Sequence, residues 1–471
     1  MKKIQLKYIL PIVIPLFILL LPVTSFGIAQ MTLVEQRIIA IFVMATLCWI
    51  LEPIPIYATS VLIIVLELLL VSDKGLWFTQ VASPDLGHLI SYQMIMATFA
   101  SPIIMLFLGG FFLAIAATKY RLDVNLARVL LKPFGRNPKF VMLGLMIITA
   151  IFSMFMSNTA TTAMMLSILT PVIALFSKKD LGRVAFALSV PVAANIGGIG
   201  TPIGTPPNAV ALKYLTAENS ISFAGWMAFG VPFVVVMLFI AWLLLTTLFP
   251  ATIKEINLNI KGRFLKTPKA ITVYITFVVT ILLWLMGGVH GMNAYVVAMI
   301  PVAVFSMFKI ITKEDLKKIS WDVLWLVSGG IALGVGLDKS GFAANAINAI
   351  PFADFHPLLL IVGASVLCLL MANFMSHTAS ANLLLPLVAA LGASMHSLLP
   401  YGGEVVLILA VTFAASLGMS LPISTPPNAL AYASGHVETK QMAKVGIALG
   451  IIGLLITYAM LYLLNKISFI G

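Results

Sequence analysis

The feature that most limits what this chain can become is a succession of uncharged apolar runs of about 20 residues, the length a helix needs to cross a bilayer's hydrocarbon core. Segments such as FVVVMLFIAWLLLTTLF are apolar on every face. They cannot supply the short alternating strands and polar lumen of a β-barrel, so the backbone must satisfy its own hydrogen bonds as helices. With 61% hydrophobic and 9% charged residues, the sequence predicts an all-α polytopic membrane protein. Spans are expected near 8–27, 36–51, 57–71, 95–118, 181–215, 226–249, 270–288, 291–311, 322–338, 403–433 and 441–466, about eleven in all. The opening segment KKIQLKYILPIVIPLFILLLPVTSF resembles a signal peptide in charge and apolarity but offers no convincing small-residue cleavage site, and is read as the first span. Cys48 and Cys368 both lie in apolar runs and are expected as packed thiols, not a disulfide.

A net charge of +12 raises the question of an acidic partner such as nucleic acid. Placement answers it. With the N-terminus inside, 23 of the 28 basic residues fall on the cytoplasmic side: Lys2, Lys3 and Lys7, then the groups 119–139, 178–183, 254–269 and 309–318, then Lys440 and Lys444. The outer side receives Arg37, Lys74, Lys213, Lys339 and Lys466, and no Lys or Arg occurs from 341 to 402. The positive-inside rule accounts for the charge, the C-terminus is placed outside, and no nucleic-acid surface is needed.

Two apolar segments, 139–176 and 357–398, are long enough for two helices each and carry polar clusters at their centres. The first reads MSNTATTAMML (156–166) and the second MSHTASANLLL (375–385), 219 residues later. Each is expected to be a re-entrant hairpin, with Ser157-Asn158-Thr159 and Ser376-His377-Thr378 as the turn, because non-helical backbone at membrane depth survives only where protein or a cavity surrounds it. Five spans lie between the hairpins, so the two open to opposite sides. This is an inverted-topology repeat.

A second duplication confirms the period: GGIGTPIGTPPNAVAL (197–212) matches LGMSLPISTPPNALAY (417–432), and the tip serine lies 51 residues before the TPPN asparagine in one half and 52 in the other. Two prolines inside an apolar segment break the helix, and proline suits the first turn of a new one, so second half-helices are expected to begin at Pro206 and Pro426. A single SNT or TPP would be read as ordinary helix packing. Matched duplication is not. Ser376 beside His377 suggests a protease dyad only superficially, since neighbours in a helical tip diverge and no third orienting group is evident.

Two tips and two breaks bring several helix N-termini together, each with free amides and a partial positive charge. An anion can be held there without a buried Lys or Arg, and neither duplicated element has a basic side chain besides His377. Two donor sets suggest a substrate anionic at both ends, although sulfate or phosphate accepts the same donors. No G-x-x-x-x-G-K-[ST] loop is present, so coupling to a gradient or counter-substrate is expected, and no enzyme chemistry.

The paired S-N-T-A and S-H-T-A tips, the paired T-P-P-N breaks and the early ILEPIPIYATSVLI stretch resemble the divalent anion:sodium symporter family, the INDY-like di- and tricarboxylate carriers, over nearly the whole chain. The resemblance implies a homodimer in a bacterial cytoplasmic membrane, surrounded by lipid, working as an elevator. Its scaffold domain would be 1–138 with 251–345, and its transport domain 139–250 with 346–471. Carried over by motif, the substrate site falls on Ser157, Asn158, Thr159, Thr205, Pro206, Ser376, His377, Thr378, Thr425 and Pro426. No resident cofactor is implied, but sodium ions are: a first site at Ser153, Ser157, Asn158 and Gly204, and a second at Ala372, Met375, His377 and Ser424. The second is degenerate, with Ala372 where a hydroxyl is usual and His377 where Asn is usual.

An imidazole nitrogen suits sodium poorly, and S-H-T resembles the second tip of sodium-independent exchangers related to this family. The expectation from sequence is therefore sodium-independent exchange of C4 or C5 dicarboxylates of the succinate, malate or 2-oxoglutarate type. Sodium-coupled di- or tricarboxylate symport is the alternative, and another ion or oxyanion carrier on the same repeat a more distant one. Glu52, at the end of a span, reads equally as an interfacial scaffold residue or a functional one, and Asp338-Lys339 is expected as a surface ion pair. His290, His356, His396 and His436 receive no role.

Overall fold

The computed structural model describes residues 6–28, 31–81, 83, 85–177, 179–216, 219–256, 263–342, 345 and 355–470. Lys2, Lys3, Lys178 and Lys261, which enter the charge argument, lie outside the described residues, as do 346–354 at the start of the second transport segment. The described residues are helical apart from turns, 3-10 segments and one isolated bridge between Ser72 and Ile90.

The helices are α1 (Leu6–Leu20), α2 (Leu33–Leu51), α3 (Ile56–Leu70), α4 (Pro102–Lys119), α5 (Leu122–Leu131), α6 (Pro138–Phe155), α7 (Asn158–Ile173), α8 (Gly182–Gly198) and α9 (Pro206–Leu212), continuing as α10 (Phe223–Leu248), α11 (Pro268–Leu285), α12 (Ala294–Met307) and α13 (Trp321–Lys339). The last five are α14 (Pro357–Phe374), α15 (His377–Ser394), α16 (Gly403–Leu417), α17 (Pro426–Ala433) and α18 (Thr439–Lys466). Among the described residues, eight helical stretches are long and apolar enough to cross a bilayer, two of them the first arms of the hairpins, α6 and α14. Outward-facing Ile271, Ile275, Val278, Leu359, Leu367 and Leu370 are each more than a third exposed. Water would not tolerate such a belt, and lipid does.

Every expected span finds a helix, with two departures. The fourth, expected as one run over 95–118, is a short helix Tyr92–Ala97 followed by α4, because Pro102 takes the first position and the Ser101 hydroxyl accepts the Ile104 amide at 3.4 Å. The amphipathic α5 falls between spans and was not anticipated; it buries Leu122, Ala127 and Leu131 and exposes Arg121 at its start. Elsewhere caps set the boundaries. Thr32 and Glu35 form a reciprocal capping box at α2, and Asn137 with Pro138 starts α6.

The two halves pack reciprocally. In each, the first hairpin arm lies against the first half of the broken helix, α6 on α8 and α14 on α16. The second half-helices cross over: α9 packs on α15 and α16, while α17 packs on α7 and α8. Such exchange is what a two-fold arrangement produces, and it draws both hairpin tips and both breaks to one place. Cys48 and Cys368 are buried free thiols, and Lys339 meets Asp338 at 3.0 Å at the exposed C-terminal end of α13.

Candidate substrate and ion site

At each hairpin tip the helix stops because a cap and the extended backbone before it leave no choice. Met156 (φ −128°, ψ 161°) ends α6, and Ser157 caps α7 by accepting the Ala160 amide at 3.3 Å. Met375 and Ser376 repeat this, with the Ala379 amide at 3.1 Å. The turn therefore sits one residue earlier than expected. Asn158-Thr159 and His377-Thr378 belong to the first helical turn behind it, because serine is a far better N-cap than N1 residue.

The breaks repeat to within a few degrees. Thr205 (φ −143°, ψ 145°) precedes Pro206, and Thr425 (φ −144°, ψ 148°) precedes Pro426, where the second half-helices begin as expected. A broken helix leaves carbonyls without partners, and the TPPN asparagines supply them. Asn208 Nδ2 donates to the carbonyls of Gly198, Ile199 and Thr201 at 3.2, 3.2 and 2.8 Å; Asn428 Nδ2 donates to those of Met419 and Leu421 at 2.8 and 3.1 Å. The indole of Trp226 serves Ile199 as well, at 3.0 Å. These asparagines hold the break; they do not face the cavity.

All ten expected substrate residues, Ser157, Asn158, Thr159, Thr205 and Pro206 with Ser376, His377, Thr378, Thr425 and Pro426, line one cavity of about 360 Å³. Four helix N-termini, those of α7, α9, α15 and α17, are gathered there, and no lysine or arginine lines it. The apolar wall comes from Phe107, Gly110 and Phe111 of α4, and Tyr57 at the start of α3 and Asp322 at the start of α13 also line the cavity. Positive helix ends without a basic side chain hold an anion by amide hydrogen bonds and dipole charge.

Asn195 also lines this cavity and has no counterpart in the motifs. Its Nδ2 donates to Thr425 Oγ1 at 3.2 Å and Asn428 Oδ1 at 3.1 Å, tying α8 of the first half to the break of the second, while its own Oδ1 is buried without a partner. The signal was present as a lone amide in the apolar run SVPVAANIGG, but its partners are more than 200 residues away.

The two expected sodium sets differ. In the first, Ser153 sits behind the tip with its hydroxyl within bonding distance of Asn158 Oδ1 and 2.7 Å from the Ala194 carbonyl, so one hydrogen faces two acceptors. A methyl group added to Gly198 would lie 2.8 Å from both Asn158 Oδ1 and the Gly204 carbonyl. Asn158 Nδ2 lies 2.9 Å from the same point, so the crevice left because residue 198 has no side chain is bordered by two neutral oxygens and one amide nitrogen. Hard oxygen donors are what an alkali cation accepts, and the Ala194 carbonyl adds one that sequence did not name. In the second set, His377 Nε2 bonds the Gly418 carbonyl at 2.8 Å, and a methyl group on Gly418 would strike Ala372 Cβ and come 2.7 Å from its carbonyl carbon and 3.0 Å from its carbonyl oxygen. Ser424 spends its hydroxyl on the Asn373 carbonyl at 2.9 Å and accepts the Leu421 amide at 3.1 Å. Ala372 and Met375 are buried behind the tip. No cluster of three or more His, Cys, Asp or Glu side chains suited to a metal occurs among the described residues.

Reciprocal hairpins and broken helices around one anion-suited cavity in an apolar helical body define a membrane transporter, not an enzyme. The chain belongs to the divalent anion:sodium symporter family: residues 2–467 match the family described as the sodium:sulfate symporter transmembrane region. It is 30% identical over 470 residues to the sodium-dependent dicarboxylate transporter SdcS of Staphylococcus saprophyticus, covering 91% of this chain and 85% of that one. It is 31% identical over 430 residues to the sodium-dependent high-affinity dicarboxylate transporter 3 of Caenorhabditis elegans, covering 78% and 74%. In fold it is similar to the Alcanivorax borkumensis YdaH transporter, with a TM-score of 0.55, 13% identity and coverage of 79% and 87%. Neisseria gonorrhoeae MtrF gives a TM-score of 0.52 at 13% identity, with coverage of 88% and 96%.

Proposed function

We propose that this protein is a secondary carrier of C4 and C5 dicarboxylates driven by sodium, with the ion held at the Ser153, Ser157, Asn158 and Gly204 set and the substrate between the two tips. The exchanger expectation rested on His377. The relatives are named as sodium-dependent, which favours symport over it. The observation that carries the reading is the approach of Asn158 Oδ1 and the Gly204 carbonyl at Gly198, with the Ser153 hydroxyl beside Asn158 Oδ1, where both Asn158 and Gly204 also line the substrate cavity. Sodium there would fix Asn158 and the start of α7, and so ready the Thr159 donor for one carboxylate, while Thr378 and the α15 N-terminus take the other. His377 is then a structural donor to Gly418, and coupling falls on the first site.

In this reading 139–250 and 346–471 move as the transport domain against a scaffold of 1–138 and 251–345 in a homodimer. Tyr57 and Asp322 line the cavity and start helices that the positive-inside reading puts at the cytoplasmic side, and on that reading the cavity opens inward. The test is uptake of labelled succinate into proteoliposomes loaded with no dicarboxylate. An inward sodium gradient should drive accumulation; uptake that needs internal dicarboxylate and ignores replacement of sodium by choline would restore the exchanger.

A further inference from the structure

Among the residues that line the cavity, Asn195 of α8 is bound in a way that neither the substrate motifs nor the ion set explains. It is 1% exposed. Asn428 spends its Nδ2 on the Met419 and Leu421 carbonyls, so it turns Oδ1 toward Asn195, and Asn195 must answer with Nδ2, at 3.1 Å. The amide is thereby oriented. Its other Nδ2 hydrogen goes to Thr425 Oγ1 at 3.2 Å, and its Oδ1 is left buried with no partner. A buried acceptor left unmet is a cost, which asks what the orientation is for.

Thr425 Oγ1 accepts a second time, from the Asn428 amide at 3.2 Å. A hydroxyl has two lone pairs and one hydrogen. Both lone pairs are taken, no described residue accepts the hydrogen, and Thr425 lines the cavity, so its hydroxyl can act there only as a donor. The first break lacks this arrangement. In the register that aligns 197–212 with 417–432, Ala415 stands where Asn195 would recur, and Asn208 Oδ1 has no partner where Asn428 Oδ1 has one. The Thr205 hydroxyl takes no cap bond and stays a free rotor, able to donate or to accept.

We propose that Asn195 is a positioning residue for the substrate: it occupies the Thr425 oxygen and so commits that hydroxyl to donate to a carboxylate. This deepens the carrier reading and rests on it, since it needs a carboxylate at the second break. The two ends of the site are then unlike. At Thr425 a donor is aimed before the substrate arrives, and no rotor has to be turned or frozen; at Thr205 the substrate orients the hydroxyl as it binds. A carboxylate, which only accepts, is the group the second break is built for.

The test is a direct titration of succinate, in saturating sodium, against the purified full chain and its variants. Thr425→Val should weaken binding by about 5–150-fold, and by more than Thr205→Val does. Asn195→Asp keeps the size but puts an oxygen where Nδ2 was, which draws the Thr425 hydrogen inward and turns a lone pair to the cavity. In that background Thr425→Val should cost nothing further, because the donor is already gone. A residue that merely braces the break would leave the Thr425→Val loss as large in the Asn195→Asp background as in the parent; that result overturns the proposal while the carrier reading stands. Should Asn195→Asp not fold, equal losses in Thr425→Val and Thr205→Val overturn it by themselves. A parent chain that does not bind succinate would end both.

Discussion

His377 Nε2 holds the Gly418 carbonyl at 2.8 Å, whereas its counterpart Asn158 turns a carbonyl oxygen toward Gly198 and the Ser153 hydroxyl. The two repeats thus use this position differently: the imidazole is tied to a backbone carbonyl, while the amide oxygen lies beside a hydroxyl. Restoring the second pocket needs both of its lost oxygens. The double variant His377→Asn with Ala372→Ser should make substrate uptake depend more steeply on sodium concentration, while either change alone should not. An unchanged sodium dependence in the double variant would mean that the Ala372 backbone, not its missing hydroxyl, closes the site.

Gly198→Ala is the converse. The added carbon would lie 2.8 Å from Asn158 Oδ1 and from the Gly204 carbonyl, with buried backbone around it that has no room to retreat. Sodium stimulation of succinate binding, read by thermal shift of the purified protein, should disappear while the fold survives. Full stimulation in this variant would remove the cradle as the ion site.

Thr159 and Thr378 occupy equivalent positions, the second residue of α7 and of α15, and both line the cavity. Valine keeps the shape and removes a donor. Leaving a carboxylate oxygen unmet costs roughly 1–3 kcal/mol, or about 5–150-fold in affinity. Each variant should lose affinity by that order in a direct succinate-binding titration, and unchanged binding in both would place the substrate elsewhere.

Asp315 lies between Lys119 at the end of α4, the Thr312 amide at 3.0 Å and Lys318 at 3.1 Å. Burial opposes its charge, but these partners outweigh burial and hold its carboxyl well below the usual carboxylate range. A carboxylate with a depressed folded pKa stabilises the fold above its unfolded pKa of about 4 and stops doing so as pH falls through the folded value. Lys119→Met should lower the melting temperature by roughly several degrees at neutral pH, with the gap to wild type narrowing as the solution is acidified below about pH 4. A gap independent of pH would assign the loss to packing of the lysine stem.

Much of this architecture was legible because membranes demand length and apolarity and because proline and serine mark helix breaks by their own chemistry. Pro206 and Pro426 were placed correctly from sequence for that reason. The one-residue displacement of the tips shows the limit of the method: a polar triplet signals a turn, but which residue caps is decided by an amide three positions on. Asn195 was missed on other grounds. It is one polar residue in an apolar run, and its meaning comes from Thr425 and Asn428, brought near only by the crossing of the two halves. The exchanger expectation, drawn from His377 and Ala372, lost its support to relatives named as sodium-dependent, and the bond from His377 Nε2 to the Gly418 carbonyl could not be read from sequence.

The central claim is that sodium at the Ser153–Asn158 cradle travels with the dicarboxylate. Its most direct measurement is the simultaneous flux of labelled sodium and labelled succinate into the same dicarboxylate-free proteoliposomes. The account predicts that each accelerates the other's entry, and that Gly198→Ala abolishes both the sodium flux and the acceleration. Succinate entering at the same rate in choline, with no accompanying sodium, would contradict it.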